Sequence, residues 1–129
     1  MAEAAVLVTT RTPTLLLLAS LLIASPSRAA ELPGKWEIRA SLPTVRSGIA
    51  GASLKGKIFV FGGESNLGTH NQTESYDPVN NSWQGWAPVP TARHGLGAAI
   101  VGDAIYVISG GPKPGARFSS VNEVFTPIK

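Results

Sequence analysis

The chain contains no cysteine. Disulfide stapling is therefore excluded, and the fold must be held by packing or by partner chains. Thiolates are also missing from any metal site. Only two histidines are present, His70 and His94. A metal centre needs three or four convergent ligands, so no metal and no cofactor is expected. Charge is sparse, with 11 Lys/Arg against 8 Asp/Glu. No basic cluster stands out, which removes the electrostatic footprint of a nucleic-acid binder. Long apolar runs are missing too. Leu15–Ala24 (LLLLASLLIA) falls well short of the roughly 20 residues that cross a bilayer, so no stable membrane span is expected. Beyond that run, no segment has the 3.6-residue apolar period of a helix.

What is there begins with a leader. Arg11 precedes the short apolar core, and SPSRAA follows it. Ser27 and Ala29 are spaced like the −3 and −1 residues of a signal-peptidase site. Residues 1–29 are expected to be a signal peptide cleaved near Ala29, and the protein to be secreted or periplasmic. Residues 30–129 are long enough for one small domain.

That domain repeats itself. LPTVRSGIAGA (Leu42–Ala52) lies over VPTARHGLGAA (Val89–Ala99), with Arg46 and Arg93 47 positions apart. KIFVFGG (Lys57–Gly63) matches AIYVISGG (Ala104–Gly111) with one extra residue in the second copy. Glu74, Tyr76 and Pro78 recur as Glu123, Phe125 and Pro127, each 49 positions on. Internal periods of this length mark repeat architectures. Each unit reads as short strands. Gly48–Leu54 and Gly95–Val101 are small and apolar. Ile58–Phe61 and Ile105–Ile108 are β-branched and aromatic runs expected to be buried. Lys55-Gly56 and Gly102-Asp103 fit hairpin turns, and Asp77-Pro78 with Asn80-Asn81 form a further turn signal. A leading strand is expected around Lys35–Ile38.

The pattern resembles the kelch repeat, the four-stranded blade of one class of β-propeller. The resemblance rests on Arg46-x-Gly48, the run Ile58 to Gly63, Glu74-x-Tyr76-Asp77-Pro78 and Trp83. In the second copy it rests on Arg93-x-Gly95, Ile105 to Val107, Gly110-Gly111 and Glu123-x-Phe125. It implies an all-β fold, with a first blade over about 36–83 and a second, incomplete blade over 84–129. Gly48, Gly62, Gly63, Glu74, Tyr76, Trp83 and their counterparts Gly95, Gly110, Gly111, Glu123 and Phe125 then hold repeat positions. Trp36 and Trp83 are expected to seal blade to blade, while Trp86 lies outside the pattern. Propellers close with four to eight blades. The missing blades are expected either from a longer chain, of which this is a truncated piece, or from self-association. In the latter, each Trp36 strand completes a neighbour's open blade.

The resemblance also places the segment before the first strand and the loop after the Gly pair on one face. The implied ligand-binding candidates are Arg46, Ser47, Glu64, Ser65, Arg93, His94 and Lys113. An arginine offers a planar donor fork for carboxylates. Alternatively, each arginine bonds loop carbonyls or a glutamate within the scaffold, since both copies carry it. His94 stands where the first copy has Ser47, and is the more individual feature. Glu74 and Glu123 occupy one repeat position, which points to a structural carboxylate rather than an acid–base pair. Asn71-Gln72-Thr73 and Asn80-Asn81-Ser82 fit the N-glycosylation pattern. The implied function is a non-catalytic module that binds a protein or carbohydrate. The alternatives are a sugar-active enzyme on this fold, similar to exported sialic acid mutarotases, and a non-functional fragment. The copper chemistry of galactose oxidase, which shares the architecture, needs a cysteine-linked tyrosine and does not carry over.

Overall fold

Lys55 and Gly56 both take positive φ, 50° and 75°. Two consecutive left-handed residues make the hairpin turn whose twist suits the flanking strands. In the computed structural model, which describes residues 32–128, this turn joins β1 (Ala50–Leu54) to β2 (Lys57–Phe61). Gly102, at φ 59°, opens the matching two-residue turn between β7 (Gly97–Val101) and β8 (Ala104–Ile108). The leader read over 1–29 lies outside the described residues.

Between these hairpins lie β3 (Glu64–Ser65), β4 (Gly68–Thr69), β5 (Thr73–Asp77) and β6 (Ser82–Trp86). After them comes β9 (Asn122–Phe125). The first blade is a four-stranded antiparallel sheet in the order β1-β2-β5-β6. The second is three-stranded, β7-β8-β9. β3 and β4 form a separate small hairpin above the first blade's Gly pair. The connection from β5 to β6 is shaped by Asp77, whose Oδ1 accepts from the backbone N–H of Val79 and Asn80 at 2.9 and 3.2 Å. Such local capture is why Asp opens turns. Asn81 closes the turn at φ 49°.

The core is the seam between the blades. Phe59 and Phe61 of β2 meet Ile105 and Val107 of β8, with Ala50, Leu54 and Val89 around them. Four aromatic rings fasten the outer part. Trp86 lies 5.7 Å from Phe59 and 5.9 Å from Phe125, and Phe125 lies 5.8 Å from both Phe59 and Phe61. Edge-to-face pairs of this kind add about 0.5–1.5 kcal/mol each beyond area burial. Ala52 of β1 and Ala98 of β7 pack against this core as small, partly buried side chains.

Four sequence expectations change here. Trp36 does not seal anything in this structure, because its side chain and that of Ile38 are fully exposed. The segment Lys35–Ile38 forms no strand. The sealing tryptophan is Trp86, which the repeat pattern had left out; Trp83 stacks on Tyr76 at 5.2 Å within its own blade. Neither β2 nor β8 is buried throughout: Ile58 is exposed on β2, and on β8 Ile105 and Val107 face the seam while Ile108 lies on the uncovered flank.

A further change concerns register. Ala50 pairs with Phe61 and Gly97 with Ile108, so both copies keep the 47-residue offset up to the strand end. The counterpart of Gly62 is therefore Ser109, and that of Gly63 is Gly110. Backbone conformation agrees, with φ 57° at Gly62 and 62° at Ser109. So does hydrogen bonding: Gly62 N donates to Gln72 O, and Ser109 N to Val121 O, at 3.0 and 2.7 Å. The extra residues of the second copy fall later, in the loop 112–121. Pro112 and Pro114 lack N–H donors there, and the counterpart of the β3–β4 hairpin is absent from the described chain.

Candidate functional site

The Pro-Thr-x-Arg segments lead into the inner strands, and each arginine turns back into its own blade. Arg46 Nη1 donates to Glu74 Oε2 at 2.5 Å and to Thr44 O at 2.9 Å, and Nε donates to Gly62 O at 2.7 Å. Thr44 Oγ1 donates to the second oxygen of Glu74. The second blade repeats the ion pair and the threonine bond, with a different backbone carbonyl. Arg93 Nη1 reaches Glu123 Oε2 at 2.6 Å, Nη2 reaches Val107 O at 3.1 Å, and Thr91 Oγ1 donates to Glu123 Oε1 at 2.7 Å. Neither arginine side chain has any solvent exposure. Of the two uses open to these arginines in the sequence, the bonds to glutamate and loop carbonyl are the ones made here. Buried charges need such partners, because desolvation is otherwise too costly. Burial pushes the Glu123 carboxyl up. The hydrogen bonds from Thr91 and Arg93, with the charge of Arg93, outweigh it and hold the group below the ordinary range.

The remaining candidates gather at the loop end of the blade seam. Ser47 and Glu64 exchange backbone hydrogen bonds at 2.9 and 2.8 Å, and His94 and Gly111 do the same at 3.0 and 2.9 Å. These paired bridges are the same feature in successive blades. They fix the backbone from which Glu64 and His94 project. His94 Nδ1 lies 3.5 Å from Glu64 Oε1, and its Nε2 lies 2.9 Å from Lys113 O. Donation to that carbonyl requires the proton on Nε2. His94 thus joins the second blade's long loop to the first blade's hairpin. Thr69 Oγ1 adds a second tie, donating to Pro112 O at 3.1 Å.

Sequence reasoning passed over His70 except as a metal ligand. Its Nε2 lies 2.8 Å from Ser65 Oγ and its Nδ1 3.1 Å from Gln72 Oε1, so it belongs to the same end of the molecule. Its place in the loop that also holds Glu64 and Ser65 was the available signal. The structure therefore brings Ser47, Glu64, Ser65, His94 and the Lys113 backbone together from both blades, adds His70, and leaves Arg46 and Arg93 beneath them. Two cavities follow the seam, one beside Phe61, Val89 and Phe125, the other beside Leu54, Phe59 and Trp86. None of the ligand-binding candidates lines either. Among the described residues, no three His, Asp or Glu side chains converge as metal ligands, and no helix is long and apolar enough to cross a membrane. Asn71 and Asn80, the acceptor positions of the two glycosylation patterns, are exposed.

Comparison with known proteins agrees with this geometry. Residues 46–85 match the family model described as Kelch motif. Among solved structures, the chain is similar to that of YjhT, a kelch-type propeller, with a TM-score of 0.54 and 26% identity over 59% of this chain. The match covers 24% of the YjhT chain, so the present chain spans about a quarter of that structure. A search of curated proteins returns no match.

Proposed function

We propose that this chain, made of kelch-type propeller blades, is a non-catalytic interaction module of an exported protein, and that it recognises a protein or carbohydrate through its loop face. The observation that carries the reading is the polar cluster of Glu64, Ser65, His70 and His94, drawn from two blades onto one surface. Donors and acceptors of several kinds lie side by side there. Such a set suits hydroxyl and amide groups of a ligand spread over a surface. Loops held by a rigid scaffold are where binding residues concentrate.

One observation favours a second reading. His94 and Glu64 form a pair able to exchange a proton, 3.5 Å apart, as a sugar-active enzyme would need. The two readings separate in one experiment. The chain is screened against a panel of glycans and peptides for binding, and the same sugars are followed for turnover. Binding without turnover supports the module. Turnover that disappears in His94→Ala replaces it with the enzyme.

A further inference from the structure

The position held by Gly62 in the first blade and by Ser109 in the second decides what can stack on each. Gly62 is buried because the second blade sits on it. A Cβ placed on Gly62 would lie 2.4 Å from the carbonyl oxygen of Arg93 and 2.8 Å from Leu96 Cδ1. The first of these is backbone and cannot swing aside. Beside it, Gly63 N donates to the same Arg93 carbonyl at 2.8 Å, and Gly95 N to Gly48 O at 2.7 Å. These bonds fix the spacing of the two blades. The seam therefore requires that position 62 carry no side chain.

Ser109 breaks that requirement on the next flank. It has the backbone conformation of Gly62 and the same N–H bond, but it carries a Cβ and a hydroxyl, which donates to Ser119 O at 2.9 Å. Left-handed φ is uncommon for a residue with a side chain, so serine here carries a conformational cost that glycine would not. Beside it the flank is apolar and open, with Ile100, Val101 and Ile108 all exposed. The first blade of a second copy would bring its Arg46 carbonyl and Ile49 to this flank, since these stand 47 residues before Arg93 and Leu96.

We infer that Ser109 prevents a second copy of this chain from stacking its first blade on the outward flank of the second. Head-to-tail contacts of this kind close into rings or run on into filaments. One Cβ at the point of closest backbone approach blocks the native blade spacing. A partner on this flank must have a different backbone geometry from the blades of this chain.

Three full-length variants test it. Light scattering across a concentration series compares the wild type with Ser109→Gly and Ser109→Ala. The alanine keeps the Cβ, so it is expected to behave as wild type, while the glycine variant associates at least tenfold more tightly. Equal association of all three overturns the inference, as does a wild-type assembly joined through this flank. The premise is tested separately by hydrogen exchange of the Gly95 amide, which bonds across the seam. Gly62→Ser is expected to lose that protection, whereas Gly56→Ser, with the same sign of φ and open space around it, keeps it. Equal protection in both overturns the inference as well.

Discussion

Arg93, fully buried, and Glu123, partly buried, form an ion pair at 2.6 Å that repeats, one blade on, the pair of Arg46 and Glu74. In both, a threonine two residues before the arginine holds the other carboxylate oxygen. Each blade thereby ties its lead-in segment to its third strand. Glutamate and arginine are satisfied together or left unpaired together, which makes the pair costly to break.

Removing the arginine leaves the partly buried Glu123 without its charge-assisted hydrogen bond, which typically costs about 1.5–3 kcal/mol. Arg93→Ala is expected to lower stability by about that much, and Thr91→Ala by about 1 kcal/mol. Thermal or urea unfolding measures both. Arg93→Lys is expected to recover only part of the loss, since a single ammonium cannot reach both Glu123 and the Val107 carbonyl as the guanidinium fork does.

Trp86 and Trp36 should differ sharply. Trp86→Ala opens the aromatic group that joins the blades, and the expected loss is about 3–5 kcal/mol. Trp36→Ala, at a fully exposed position, is expected to change stability by no more than about 0.5 kcal/mol. Equal losses in urea unfolding would show that Trp36 is packed after all.

Acid should loosen the turn between β5 and β6. The Asp77 carboxyl is held down to about 2, first by the side-chain hydrogen bond from Asn80, then by the Asn80 backbone N–H and by Lys57. Its pKa is lower folded than unfolded, so its contribution is complete above the ordinary value of 3.8 and is lost as pH falls towards about 2. Carboxyl-detected NMR should give the Asp77 midpoint near 2, and Asn80→Ala should raise it.

Much of this was legible in the sequence because the chain contains two copies of one pattern. Arg46 and Arg93, Glu74 and Glu123, and the small residues of β1 and β7 announce themselves by recurring. What the pattern could not give was tertiary. Trp86 stands 47 residues after Arg39 rather than after another tryptophan, so repetition could not mark it, although it seals the seam. Trp36 matches Trp83 in spacing but is fully exposed. The Gly pairs invited an alignment of like with like, whereas strand register puts Ser109 in the place of Gly62. Recurrence also left two roles open for the arginines, and only the side-chain geometry shows which bonds they make. His94 was visible as the odd residue out, but its approach to Glu64 depends on how the blades sit together.

The loop-face cluster is the centre of the functional account, and one binding measurement tests it most directly. The tightest ligand found in a panel of glycans and peptides is titrated calorimetrically against the wild type and His94→Ser, which installs the residue the first copy carries at this position. The account predicts binding at least tenfold weaker in the variant, equivalent to about 1.4 kcal/mol, in a chain that still folds. Undiminished affinity in a folded His94→Ser chain would contradict it.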